Sequence, residues 1–285
     1  MEWFVRTQDG RTLAVEDAGD RDGLPVMVHV GTPNSRHLYG RTVADATARG
    51  LRLISYDRPG YGESTPQPGR TTADCADDAR AICQALGIGR LAMWGLSGGG
   101  PHVLACAALL PDLVAAAASL ASPAPYDAEG LDWLGGFSQD GVDEVRLMFA
   151  DKTASRAMFE KDRDQLLAAS PAELAQDMKA SAPHADLAFL TDEAVCMQQG
   201  YASGIEGCWD DCWAQVTPWG FDLAQISVPV LLLHGGQDKA VPFSHGQWLA
   251  AHIPGVEAWL FDDEGHGTMR ENRIGEVHAW LADRL

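Results

Sequence analysis

Apolar runs four to seven residues long alternate with stretches of helical period over the first 120 positions of the chain. Trp3–Arg6 and Thr12–Glu16 are short strand-like runs on either side of Asp9-Gly10, a hairpin signal. Pro25-Val-Met-Val-His-Val30 is continuously apolar, as a strand covered on both faces must be. It ends in Gly31-Thr32-Pro33-Asn34 and leads to a helix predicted over Leu38–Ala48, stopped by Gly50. Leu51–Tyr56 is the next strand and runs into Asp57-Arg-Pro-Gly-Tyr-Gly-Glu-Ser64. Thr71 or Thr72 caps a helix reaching Leu86, with Gly87 just past its end. An apolar strand from Leu91 then meets Gly95-Leu-Ser-Gly-Gly99, a helical pattern follows from Pro101 to Leu110, and Val114–Leu120 is a further strand. Such alternation predicts a parallel sheet with helices on both faces.

The period changes after that. From Tyr126 to Gly220 apolar residues recur at helical spacing, as in Met148, Phe149, Met158 and Phe159, or Leu166, Leu167, Leu174 and Met178, and no parallel strand is predicted. Sheet patterning resumes at Val228-Pro-Val-Leu-Leu-Leu233, followed by His234-Gly-Gly-Gln-Asp238. A helix over Phe243–His252, a strand over Val256–Phe261 and a closing helix over Glu271–Leu285 complete the chain, with His266 in the loop between the last two. The expected organisation is a core domain of residues 1–125 and 221–285, interrupted by a helical insertion of residues 126–220. No internal repeat or low-complexity tract interrupts the pattern.

Composition sharpens this picture in two places. The chain has 285 residues, 46% of them apolar, enough for one large core. Its net charge of -19 argues against nucleic acid and anionic membrane as partners, because either would repel the surface. The 126–220 segment alone holds 18 acidic and 6 basic residues, most of them read as solvated helix faces. No basic region followed by an apolar core opens the chain, and no run of about 18 apolar residues predicts a membrane span. Six cysteines (75, 83, 106, 196, 208 and 212) show neither CxxC nor zinc-ligand spacing, which fits reduced thiols in a cytoplasmic protein with no metal.

In a parallel sheet the functional loops follow the C-terminal ends of the strands. The most informative of these is Gly95–Gly100. A serine at a sharp strand-to-helix turn needs neighbours without Cβ atoms, and Gly95 and Gly99 stand two positions to either side of Ser97. The turn lifts the serine hydroxyl clear of the backbone and points the Gly98 N–H at whatever the serine attacks. The plainer alternative is a glycine-rich turn with an incidental serine. Against it stand a base, His266 between Gly265 and Gly267, and an orienting carboxylate, Asp238, after the preceding strand. Of the remaining histidines, His37, His102, His184, His245, His252 and His278 fall on helical or surface-like segments and read as structural or solvated, while His29 and His234 sit at strand ends where they can orient loops.

These motifs resemble the α/β-hydrolase superfamily in its capped form, over nearly the whole chain. The resemblance rests on Gly95-Leu-Ser-Gly-Gly99, Asp57–Ser64, Asp238 with Val241-Pro242, and Gly265-His266, in that family's order. It implies a mostly parallel sheet with a helical lid inserted late in it, at 126–220, and a Ser97–Asp238–His266 triad. It also implies an oxyanion site formed by the backbone N–H groups of Gly98 and Thr32, since Pro33 has none to give. Valine (Val30) stands where the family usually has histidine, with His29 displaced by one. Serine rather than aspartate at the elbow implies acyl transfer to water in place of epoxide opening or halide displacement. The expected activity is hydrolysis of a carboxylic ester or lactone of a small, largely apolar molecule, without a cofactor. Amide hydrolysis, C–C cleavage and a peroxidase side activity are the enzymatic alternatives, and a receptor-like ligand-binding protein is the non-enzymatic one. Trp133, Phe137, Trp209 and Trp213 are the candidate substrate-lining residues.

Overall fold

The computed structural model describes residues 1–181 and 185–285; His184 lies outside them. Eight strands form one sheet in the order β1-β2-β4-β3-β5-β6-β7-β8. They are β1 (Glu2–Arg6), β2 (Thr12–Gly19), β3 (Leu24–His29), β4 (Leu51–Tyr56), β5 (Leu91–Leu96), β6 (Val114–Leu120), β7 (Val230–Gly235) and β8 (Glu257–Phe261). Only β2 runs against the rest, because the tight turn after β1 reverses the chain and β2 then pairs antiparallel with both β1 and β4.

Pleating distributes the apolar runs between two cores. Met27, Ile54, Leu91, Met93 and Leu232 face one, under α2 (Cys75–Leu86), α3 (Gly100–Leu109) and α9 (Phe243–His252). Val26, Val28, Leu53, Trp94 and Leu233 face the other, under α1 (Gly40–Ala48) and α10 (His266–Ala282). Because β3 to β7 are covered on both sides, they carry no alternating polar positions, and this is why their apolar runs are continuous.

Between β6 and β7 the described residues contain no sheet strand. They form α4 (Gln139–Ala150), α5 (Lys152–Ala168), α6 (Pro171–Ser181), α7 (Leu187–Gly200) and α8 (Glu206–Gln215). Short polar side chains start these helices: Ser138 accepts from the Gly141 N–H, Asp151 from Thr153 and Ala154, and Asp186 from Ala188. The five helices pack around cores of their own, one built on Trp133, Met148, Phe159, Tyr201 and Cys208, the other on Tyr39, Phe189, Leu190 and Cys196.

Two boundaries differ from the sequence pattern in ways that bear on function. The closing helix starts at His266, five residues before Glu271, because the Thr268 hydroxyl accepts from the Gly265 N–H and caps the first turn. His266 is therefore a helix residue, held by the first turn of α10. The strand leading to Asp238 extends to Gly235, so only two residues separate it from the carboxylate. No helix of the described residues is long and apolar enough to cross a membrane.

Candidate active site

β5, β6, β7 and β8 are parallel neighbours, so the residues after β5, β7 and β8 come to the same edge of the sheet. Ser97 follows β5 directly with φ 53, a left-handed conformation that non-glycine residues seldom adopt. The glycines around it are sterically required. A Cβ on Gly95 would stand 2.5 Å from the Gly99 carbonyl oxygen and 2.8 Å from Val103 Cγ2. A Cβ on Gly99 would collide with the His29 carbonyl, and one on Gly100 with the Ser122 hydroxyl. Such strain persists only where the surroundings over-determine it, and here strand, helix and the neighbouring loop all close on the turn.

Asp238 is buried. Its Oδ1 accepts from the N–H groups of Ala240 (2.9 Å) and Val241 (2.8 Å), which leaves Oδ2 for His266 Nδ1 at 2.8 Å. That bond fixes the ring and presents Nε2 away from the carboxylate, with the His266 side chain 26% exposed. His234 braces the same loop: its Nε2 pairs with the Val241 carbonyl at 3.0 Å. Ser97 Oγ has no hydrogen-bond partner among the described residues, so the structure joins Asp238 to His266 and leaves the Ser97 hydroxyl unengaged.

The loop from Gly31 to Asn34, the expected oxyanion loop, lies against the Ser97 turn. A Cβ on Gly31 would be 3.5 Å from Ser97 Cβ, and a Cβ on Gly98 would collide with the Thr32 hydroxyl. The peptide bond between Thr32 and Pro33 is cis. Gly98 is the second residue of a single 3-10 turn, a position whose N–H has no partner within the turn.

What holds this loop was not legible from the sequence. Arg58, inside the Asp57–Ser64 motif, donates to the carbonyls of Val30 (2.5 Å) and Gly31 (3.2 Å). Its counter-charge is Asp211, from insertion helix α8, at 3.0 Å from Nε and 2.5 Å from Nη2. Asp211 also accepts from Arg70, from the Tyr61 hydroxyl at 3.0 Å and from the Thr32 hydroxyl at 2.9 Å. Asp211, Arg58, Arg70 and Tyr61 are all buried. Burial opposes the charge on Asp211, but Arg58 and Arg70 outweigh it and hold the carboxyl well below its ordinary pKa. A second junction involves α7. Glu193 accepts from Asn34 (2.9 Å) and Arg270 (2.7 Å), which ties the loop after Thr32 to the helix that carries His266. The signal that points to Asp211 is indirect: a basic residue in a loop expected to be buried requires an acid elsewhere, and spacing does not say which of the insertion's 18 acids supplies it.

The four aromatic candidates do not line the opening beside this loop. A cavity of about 360 Å³ there is lined by Thr32, Pro33, Phe159, Tyr201, Cys208 and Cys212, together with Glu144, Asp162, Leu166 and Met197. Trp133 instead donates to the Ala124 carbonyl at 2.8 Å and stacks on Phe137. Trp209 meets Phe159 edge to face, and Trp213 packs on Phe149. Helical period marks apolar faces without saying whether they meet each other or a void, and these faces meet each other.

His102, His245 and His278 are buried and His252 is exposed, while His29 is buried with its ring stacked on His102. Burial, with the Arg58 charge adding to it, pulls His102 down to about 4, and burial pulls His245 down to about 4. Burial likewise lowers His29, His234 and His278. These lowered values keep the five rings more deprotonated in the folded protein than in the unfolded chain, so they gain protons on unfolding as the pH falls through about 6.5. Unfolding then takes up protons, so stability falls as pH drops through that value toward 4. Asp78, which burial pushes up to about 6, takes up a proton in the folded protein as the pH approaches 6 and offsets part of this, one carboxyl against several imidazoles. We expect a lower melting temperature at about pH 6 than at about pH 7.5 in a scanning-fluorimetry series, with up to about 1.4 kcal/mol per pH unit from each histidine. A flat melting temperature across that interval would show that these rings are not buried neutral.

Among the described residues no group of three or more His, Cys, Asp or Glu side chains is placed to hold a metal ion.

With this geometry in hand, comparison with known proteins gives a family. The family model described as the alpha/beta hydrolase fold matches residues 25–272. The chain belongs to the α/β-hydrolase family. Similar relatives include a non-heme chloroperoxidase of Streptomyces lividans, 29% identical over 84% of this chain and 83% of that one. A bifunctional esterase/perhydrolase of Acinetobacter calcoaceticus is 28% identical over the same shares, 84% and 83%. A 2-hydroxy-6-oxononadienedioate/2-hydroxy-6-oxononatrienedioate hydrolase of Cupriavidus pinatubonensis is 25% identical over 94% and 90%. Among solved structures, a bromoperoxidase from Bacillus anthracis superposes with a TM-score of 0.74 at 20% identity, covering 99% of this chain and 100% of that one. The α/β-hydrolase family thus accounts for the eight-stranded, mostly parallel sheet and the helices that cover it.

Proposed function

We propose that this α/β-hydrolase is a serine hydrolase that cleaves a carboxylic ester or lactone through an acyl-enzyme. The observation that carries the reading is the 2.8 Å bond between Asp238 and His266 at the sheet edge where Ser97 is held in its strained turn. Ser97 Oγ attacks the carbonyl carbon and passes its proton to His266 Nε2. The carbonyl π pair moves onto oxygen, facing the Gly98 and Thr32 N–H groups. Collapse expels the leaving alkoxide, which takes the proton from His266. Water, deprotonated by His266, then releases the acid. Asp238 stays ionised and holds the ring's tautomer throughout. The Ser97–His266 hydrogen bond forms when substrate closes the site, as catalytic hydrogen bonds commonly do.

The substrate class follows from the cavity beside Thr32, with the segment 126–220 acting as the lid that shapes it. Its lining is mostly apolar and contains no lysine or arginine, while Glu144 and Asp162 contribute negative charge. This favours a neutral, largely apolar acyl group and disfavours a dicarboxylate, the kind of substrate printed in the name of the Cupriavidus pinatubonensis relative. The six unpaired cysteines fit a reducing, cytoplasmic setting.

A fluorophosphonate probe and a panel of p-nitrophenyl esters test the reading. The probe is expected to label the peptide that contains Ser97, and turnover is expected to be fastest for short acyl chains. Labelling at another residue, or ester turnover indifferent to prior labelling, would remove Ser97 from the mechanism.

A further inference from the structure

The oxyanion loop is touched by a second side chain from α8. Gln215 lies one helical turn after Asp211, on the same face, and its Nε2 donates to the Thr32 hydroxyl at 3.4 Å. The same nitrogen would be only 3.0 Å from a Cβ on Gly98. Gly98 has no side chain, and the space beside its Cα is occupied by the Thr32 hydroxyl and the Gln215 amide. The orientation of that amide is chemically determined. The single proton of the Thr32 hydroxyl goes to the Asp211 carboxylate at 2.9 Å, so the hydroxyl can only accept from its other neighbours. Gln215 must therefore present its NH₂ group and not its carbonyl. One of the two amide protons is engaged by Thr32; the other has no partner among the described residues.

We propose that Gln215 is a catalytic residue of the insertion, donating its free amide proton to the oxyanion alongside the N–H groups of Gly98 and Thr32. This rests on the serine-hydrolase reading above. When the Ser97 Oγ–C bond forms and the π pair moves to oxygen, negative charge appears beside Gly98, where the amide already stands. The donor is pre-oriented at no cost during the reaction, because the buried Asp211–Arg58–Arg70 cluster anchors the helix that carries it. It also makes the oxyanion site complete only when α8 is docked, so the insertion takes part in the chemistry as well as in substrate choice.

Gln215→Met keeps the length of a half-buried side chain and removes the donor. Expected results are a fall in kcat for a p-nitrophenyl ester of about tenfold to a hundredfold, KM within about threefold, and an unchanged melting temperature. A trifluoromethyl ketone, whose hemiketal with Ser97 carries the same oxyanion, should lose affinity by the same factor as kcat/KM. Unchanged kcat, or reduced kcat with undiminished trifluoromethyl ketone affinity, would overturn the proposal. If the unmodified protein is not inhibited by the ketone at all, the serine-hydrolase reading itself fails, which separates the two outcomes.

Discussion

Replacing Ser97 with alanine is expected to lower kcat for ester hydrolysis by about 10⁶, and replacing His266 with alanine by a similar factor. The double variant should be no worse than either single one. The reason is that the two side chains perform one act: without the base the hydroxyl stays protonated, and without the hydroxyl the base has nothing to deprotonate. Asp238→Asn should cost less, about 10⁴, because the amide keeps the volume but offers His266 Nδ1 the wrong partner and stabilises the wrong tautomer. The Asp238 site exposes this error fully, since Oδ1 is already committed to the Ala240 and Val241 N–H groups and the side chain cannot turn over freely. Steady-state kinetics on purified, folded variants checks all four. Additive losses in the double variant would mean that Ser97 and His266 act independently.

The second large effect concerns the fold. Asp211→Ala is expected to destabilise the protein by about 3–5 kcal/mol in chemical denaturation. The carboxylate is fully buried and is the shared counter-charge of Arg58 and Arg70, whose side chains are 1% and 3% exposed. Its removal leaves Arg58 without a counter-charge, and Arg70 with only the more distant Asp210 carboxylate at 3.7 Å, in a region water does not reach. Asp211→Asn separates charge from shape. It restores the packing and part of the hydrogen bonding, yet it should remain well below the unmodified protein in stability. Full recovery by asparagine would show that hydrogen bonding alone holds the cluster. Since Arg58 also grips the Val30 and Gly31 carbonyls, both variants should lose activity beyond what stability accounts for.

These two results would probe different layers of one arrangement. The proposed triad is carried at three strand ends of the sheet, and its members were readable because each has its own local signature. Ser97 has flanking glycines, Asp238 follows an apolar run, and His266 lies between two glycines. The loop that carries Thr32 depends instead on a contact between residues 32, 58 and 211, separated in sequence by up to 179 positions.

The order of strands and helices, the insertion between β6 and β7, and the turns that carry Ser97, Asp238 and His266 were all set by local chemistry: hydrophobic period, caps, turn glycines. Such signals act within a few residues, and a linear reading recovers them. Tertiary structure alone decided that Asp211 is the acid that answers Arg58, that Gln215 faces Gly98, and that Phe159 and Tyr201 line the cavity while Trp133, Phe137, Trp209 and Trp213 pack on one another. The physical reason is that burial and charge pairing are properties of surfaces brought together by folding. An acidic helix face looks the same in sequence whether it ends in water or against a guanidinium.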